Sequence, residues 1–181
     1  MKKYSNFLED FYSDIGSIAN LIDKESILKL TLSIKKVRDK NKGRIFFLGV
    51  GGSAGNSSHA VNDFRKICQV ESYTPLDNVS ELTARINDDG WDTSLVNWLK
   101  ISNLSKKDAI FIFSVGGGNL IKKISVNLIE AVKFAKKRKA KIFGVVGKQN
   151  GYVAKYGDNV VIIPEVKKKH VTPYSEAYQA V

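Results

Sequence analysis

The chain has 181 residues, 43% hydrophobic and 10% aromatic, which fits one globular domain with room for a sizeable core. A single cysteine excludes an intramolecular disulfide and fits a reducing compartment. No apolar stretch approaches the roughly 18 residues that would span a bilayer, and Met1-Lys2-Lys3-Tyr4 is not followed by a signal-peptide core, so the expected setting is cytoplasmic, without a membrane partner.

Apolar positions Phe7, Leu8, Phe11, Ile15, Ile18, Ala19 and Ile22 recur at steps of three and four and predict an amphipathic helix over 4–22. Ser26 to about Lys40 repeats the pattern through Ile27, Leu28, Leu30, Ile34 and Val37, and Asn41 and Gly43 stop it. Two helices ahead of the first strand suit a sheet-edge cover or an oligomer interface, the role expected of 1–42. Short continuous apolar runs at 44–48, 109–114, 141–146 and 159–163, with a weaker one at 70–75, read as strands buried on both faces. Helical patterns fill the gaps at 53–68, 79–86, 93–101 and 120–136. In the last of these Leu120, Ile121, Ile124, Leu128, Ala131, Val132 and Ala135 are expected on one side, with Lys122, Lys123, Glu130, Lys133 and Lys137 on the other. Cys68, near the end of one such pattern, reads as a small packed residue rather than a nucleophile. Strands alternating with helices predict a single three-layer α/β/α domain with a parallel sheet. Pro173 and Ser175 look like a helix start with Glu176 in its first turn, and the pattern reads as if the chain stops inside that element.

The net charge of +11 comes from basic residues at 35–36, 40–44, 122–123, 136–139 and 167–169. No aromatics interleave with them to stack bases, so they read as solvated helix ends rather than as a nucleic-acid surface.

Two strands run into glycine-rich turns: Arg44–Leu48 into Gly49-Val50-Gly51-Gly52-Ser53, and Ala109–Phe113 into Ser114-Val115-Gly116-Gly117-Gly118-Asn119. In a parallel sheet both lie at the carboxyl ends of their strands, where ligands bind. Glycine lets backbone N–H groups approach an anion, and the following helix N-terminus favours negative charge. Neither turn is a Walker A loop or a dinucleotide fingerprint, which argues against nucleoside-triphosphate hydrolysis. Backbone amides with Ser53, Ser114 and Asn119 suit a phosphate or sugar hydroxyls, although glycines also serve plain strand-to-helix turns. His59 and Asp63, four residues apart, share a helix face and could offer two metal ligands, a base, or an ordinary surface pair. Asn87-Asp88-Asp89-Gly90-Trp91 reads as a polar turn that could contact hydroxyls or merely cap. His170 reads as loop.

These motifs resemble the sugar isomerase (SIS) domain, and within it the phosphoheptose isomerases, over nearly the whole chain. The resemblance implies a flavodoxin-like parallel sheet and a homotetramer with sites shared between subunits. It also implies interconversion of sedoheptulose 7-phosphate and an aldoheptose 7-phosphate, as in heptose and lipopolysaccharide biosynthesis. It places the phosphate at Ser114, Gly116, Gly117, Gly118 and Asn119, and sugar contacts at Gly51, Gly52, Ser53 and Asp88. His59, Asp63 and Glu176 would carry acid–base chemistry or hold a zinc ion. Departures from the family pattern are Val50 for asparagine, Asp63 for the basic glutamate, glycines at 116–118 for serine or threonine, and Glu176 for glutamine. A histidine implied eight residues after Glu176 would fall past Val181. The reaction implied is removal of a proton alpha to the sugar carbonyl, a cis-enediol, and return of the proton to the neighbouring carbon, with Asp63 the first candidate base and Glu176 the second. The rival readings are an isomerase of another sugar phosphate and a non-catalytic module that senses one.

Overall fold

Helical crossovers join each strand to the next, so all five strands run in the same direction, in the order β2-β1-β3-β4-β5. The computed structural model describes residues 2–181. The strands are β1 (Ile45–Leu48), β2 (Ser72–Tyr73), β3 (Ala109–Ser114), β4 (Lys141–Val146) and β5 (Asn159–Ile162). The helices are α1 (Lys2–Leu21), α2 (Lys24–Lys36), α3 (Gly52–Lys66), α4 (Val79–Asp89), α5 (Ser94–Ile101), α6 (Val126–Arg138), α7 (Tyr152–Tyr156) and α8 (Val171–Gln179). The expected flavodoxin-like three-layer sheet with two leading helices is the architecture found.

Side-chain alternation divides the strands between two layers. Phe46, Leu48, Ile110, Ile112, Ile142 and Val146 pack with Leu95 and Leu99 of α5, Leu128 and Val132 of α6, and Val153 of α7. Ile45, Phe47, Phe111, Phe113, Phe143 and Val161 face the other way, onto Leu30 of α2 and Val61 of α3. A smaller cluster of Ile18, Ile163 and Tyr174 joins α1 to α8 at the β5 side. Tyr174 donates its hydroxyl to Asp14 Oδ2 at 2.9 Å, and Tyr178 donates to the Ile15 carbonyl. No helix among the described residues is long and apolar enough to cross a membrane.

The strand N-termini are tied together by one buried carboxylate. Asp108 accepts from the Arg44 amide and guanidinium and from the Ser105 amide and hydroxyl. Burial alone would raise its pKa. The hydrogen bonds from Arg44 and Ser105 outweigh that and hold it below the usual carboxylate value.

Several local expectations are corrected. Residues 120–125 are not helix: Asn119 and Ile124 form an antiparallel bridge, Lys123 and Ser125 have φ of 51°, and α6 begins only at Val126. Lys122 and Lys123 therefore stand on a projecting loop rather than on a helix face. Asn87, Asp88 and Asp89 are the last turn of α4, with Gly90 as its C-cap. His170 ends a 3₁₀ turn and caps α8. That helix starts two residues before Pro173, which sits in the first turn, where proline is tolerated. α2 continues into a π-helical turn over Val37–Asn41 that Lys42 closes in the left-handed conformation.

Candidate functional site

The strand order places β1 and β3 side by side, with Leu48 opposite Ile112. From β1 the chain leaves through α3 toward β2, and from β3 through α6 toward β4. The two crossovers cover opposite faces of the sheet. That is the topological switch point, where adjacent turns diverge and open a crevice at the carboxyl ends of the strands. Both glycine-rich turns flank it.

The first turn is shaped by what its glycines touch. A side chain at Gly49 would strike the Ser53 carbonyl. Gly51 adopts φ 65°, ψ −130°, a conformation that only glycine takes readily. Gly52 opens α3, and a methyl there would collide with the Glu176 carboxylate. The final helix thus carries a negative group onto the first turn of α3, which has no acidic residue of its own and whose dipole favours one.

α8 is joined to α3 by a polar network. The Ser53 hydroxyl donates to Gln179 Oε1 at 2.9 Å. Asn56 Nδ2 donates to the Glu176 carbonyl at 2.9 Å and to Gln179 Oε1 at 3.2 Å. Ser53 is 1% exposed, so its hydroxyl serves this contact in the conformation seen here. Gln179 Nε2 is buried with no hydrogen-bond partner among the described residues. Sequence reasoning missed Asn56 and Gln179. The signal available for Asn56 was the helical stripe it shares with Gly52, His59 and Asp63. Nothing in the sequence marks Gln179.

The second turn is tightly engaged with its own protein. The Gly117 amide donates to Ser114 Oγ at 2.9 Å. The Gly117 and Gly118 carbonyls accept from Val153 and Tyr152 at the start of α7, and the Asn119 amide bonds Ile124. Gly117 packs on Gly151, and a side chain at Gly118 would strike Ile129. Asn119 Oδ1 accepts from the Lys122 amide. Gly116 is open on its Cβ side and faces no such constraint.

The remaining candidates lie apart. His59 Nε2 stands 3.2 Å from Asp63 Oδ2 in a largely exposed pair. Eleven residues separate Asp63 from Gly52, about 16 Å along the helix at 1.5 Å per residue. His59 and Asp63 line an apolar cavity of about 510 Å³ between the leading helices, α3, the end of α8 and the Phe111–Phe113 face of the sheet, and Asn56 and Gln179 of the polar network line it as well. Asp88 is exposed at the end of α4, where it accepts from Asn87; no hydrogen bond joins it to either turn. Among the described residues no three histidine, cysteine or acidic side chains converge in a metal-binding group. His59, Asp63 and Glu176 of one chain do not fit a zinc ion together.

No family model matches the chain. It is 31% identical over 130 residues to a phosphoheptose isomerase of a Nitratiruptor species, covering 69% of this chain and 66% of that protein. It is 28% identical over 145 residues to the lincomycin biosynthesis protein LmbN of Streptomyces lincolnensis, covering 75% of this chain but only 51% of that protein. The chain thus spans between half and two thirds of the length of these relatives. Its fold matches the solved phosphoheptose isomerase GmhA of Neisseria gonorrhoeae with a TM-score of 0.75 and 21% identity, over 98% of this chain and 92% of that one. With the switch-point crevice, the paired glycine turns and the two leading helices, these likenesses lead to one conclusion: the chain belongs to the sugar isomerase (SIS) domain family, among relatives that are phosphoheptose isomerases.

Proposed function

We propose that the protein is an aldose–ketose isomerase of a phosphorylated sugar, with sedoheptulose 7-phosphate and its aldoheptose isomer as the substrate pair. The observation that carries this is the convergence of three elements on one crevice: the first glycine turn, the second glycine turn, and the Glu176 carboxylate brought in by α8. The relatives named phosphoheptose isomerase support the reaction class.

The phosphate is assigned to the second turn, where Gly116 is open on its Cβ side while its carbonyl packs against Gly151, and Ser114 and Asn119 border it. Because Gly117 and Asn119 have their amides engaged, fewer donors remain than the bare glycine count suggests. The sugar lies toward Gly51, Gly52 and Ser53. Glu176 takes the proton alpha to the carbonyl, giving the cis-enediol, and returns it to the adjacent carbon. The approach of its carboxylate to Gly52 supports Glu176, rather than Asp63, as the base for a site built within one chain.

His59 and Asp63 act in the same scheme only at the crevice of a second copy, given the roughly 16 Å between Asp63 and Gly52 along α3. The protein is accordingly proposed to be a homo-oligomer with shared sites, a tetramer by the family resemblance, and any zinc bound by His59 and Asp63 would need its other ligands from outside the chain. Asp88 is proposed to meet a sugar hydroxyl in the same way.

Turnover of sedoheptulose 7-phosphate by Glu176→Gln, by Asp63→Asn and by a mixture of the two tests these roles. Each variant is expected to lose about 10²–10⁴-fold in kcat, the usual contribution of a general base. Partial recovery on mixing is expected if the two residues act from different chains. Wild-type rates in both variants would remove both from the mechanism. Tight binding of the sugar phosphate by the wild type without turnover would make the protein a sensor instead.

A further inference from the structure

The edge of the sheet opposite the crevice gathers basic residues that are scattered in the sequence. Hydrogen bonds join the three segments entering β1, β3 and β4: the Ala109 amide donates to the Arg44 carbonyl, the Lys141 amide to the Asp108 carbonyl, and Arg138 Nε to the Leu104 carbonyl. Lys42, Lys106, Lys107, Lys139 and Lys141 are thereby brought to one end of the molecule. Two of the carboxylates at this end are matched. Asp108 is held by Arg44, and Asp158 accepts from Lys141 Nζ at 2.8 Å and from the Ile142 amide. Among the described residues Lys42, Lys106, Lys107, Lys136 and Lys139 make no ion pair.

At this edge lies a concavity of about 340 Å³ lined by Lys136, Lys139, Lys141, Tyr156 and Asp158. The Lys136 ammonium lies 4.6 Å from the Tyr156 ring centroid, which fixes its head at the wall. Lys139 has φ 58° and closes α6; its amide and that of Ala140 bond the carbonyls of Ala135 and Lys136. The negative end of α6 is therefore capped from within. Three lysines against one carboxylate leave a surplus of two positive charges in a concavity at the lower end of ligand-pocket sizes.

We propose that this concavity is a second anion site, distinct from the sugar-phosphate crevice, that takes a chain of two or three phosphates: inorganic polyphosphate or the phosphate tail of a nucleotide. Lys136 and Lys139 supply the free charges, and Lys106 and Lys107 raise the local potential that draws the ligand in.

Calorimetric titration of the full chain at low ionic strength tests this, with sodium tripolyphosphate and ATP as separate probes. One saturable site per chain is expected. It should weaken at least tenfold in Lys136→Ala/Lys139→Ala and stay unchanged in Lys122→Ala/Lys123→Ala at the opposite edge. Thermal melting of each variant checks that it is folded; both substituted pairs are exposed. Equal affinity for the two probes identifies the phosphate chain itself, and tighter binding of ATP identifies a nucleotide. Absence of saturable binding, unchanged affinity in Lys136→Ala/Lys139→Ala, or displacement by excess sedoheptulose 7-phosphate would overturn the proposal.

Discussion

At the scale of single residues, the crevice depends on a glycine that sequence inspection assigns to anion binding and the structure assigns also to packing. Gly52 leaves room for the Glu176 carboxylate at the start of α3. The contact falls on the end of a flexible, half-buried side chain that can swing aside, so Gly52→Ala is expected to leave the fold intact, helped by alanine's helix preference of about 1 kcal/mol, while it moves the carboxylate off the first turn and lowers turnover. Wild-type turnover with a wild-type melting temperature would show that the position of the carboxylate on this turn does not matter. Asp108 is the second decisive residue. Its pKa is lowered in the folded state, so its contribution is present above the unfolded carboxylate value near 3.9 and is lost as pH falls through the folded value. Asp108→Asn should reduce stability at pH 7 and flatten the acid side of the stability profile. An acid limb as steep as that of the wild type would exclude this role.

At the scale of elements, the strands were legible because continuous apolar runs between helical patterns leave little choice in a parallel sheet. The errors arose where spacing was ambiguous. Leu120, Ile121 and Ile124 happen to continue the helical period of α6, yet the Asn119–Ile124 bridge and left-handed Lys123 and Ser125 make 119–125 a loop. Nothing in a three-four spacing distinguishes these cases. α7, at five residues, is too short for a periodic signal. The docking of α8 was equally invisible, since it rests on contacts some 120 to 160 residues apart in sequence, such as Asn56 with Glu176 and Tyr174 with Asp14. Burial, reinforced by the hydrogen bond to Asp14, raises the Tyr174 pKa to about 12. A raised acid pKa favours the neutral form. This contribution is therefore complete below the unfolded value near 10 and disappears as pH rises through about 12. Tyr174→Phe is expected to cost about 1 kcal/mol at neutral pH and to weaken the loss of α8 docking between pH 10 and 12. Hydrogen exchange across 171–179 would detect it, and exchange matching the wild type would contradict it.

At the scale of the whole molecule, the exposed apolar residues cluster on the leading helices. Tyr4, Leu8 and Tyr12 recur every four residues along α1, and Leu21, Leu28 and Leu32 follow. Stripes of this kind mark interaction surfaces, and an oligomer interface over 1–42, as proposed, would bury this one. Light scattering should give more than one copy per particle. Leu8→Glu/Tyr12→Glu should shift it to a monomer and, if sites are shared, lower turnover with it; a wild-type chain that is monomeric at micromolar concentration would contradict the shared-site reading. The crevice itself was legible from two glycine turns on strand ends. The approach of Glu176 to Gly52 was not, because it is a property of tertiary packing that helical spacing does not carry. The most direct measurement is incubation of sedoheptulose 7-phosphate with the protein in deuterated water, followed by mass analysis of the sugar phosphates. An isomerase working through an enediol predicts an aldoheptose phosphate carrying deuterium at the carbon next to the carbonyl. Unlabelled product would mean hydride transfer or return of the same proton before it exchanges with solvent, and neither product nor label would contradict the assignment.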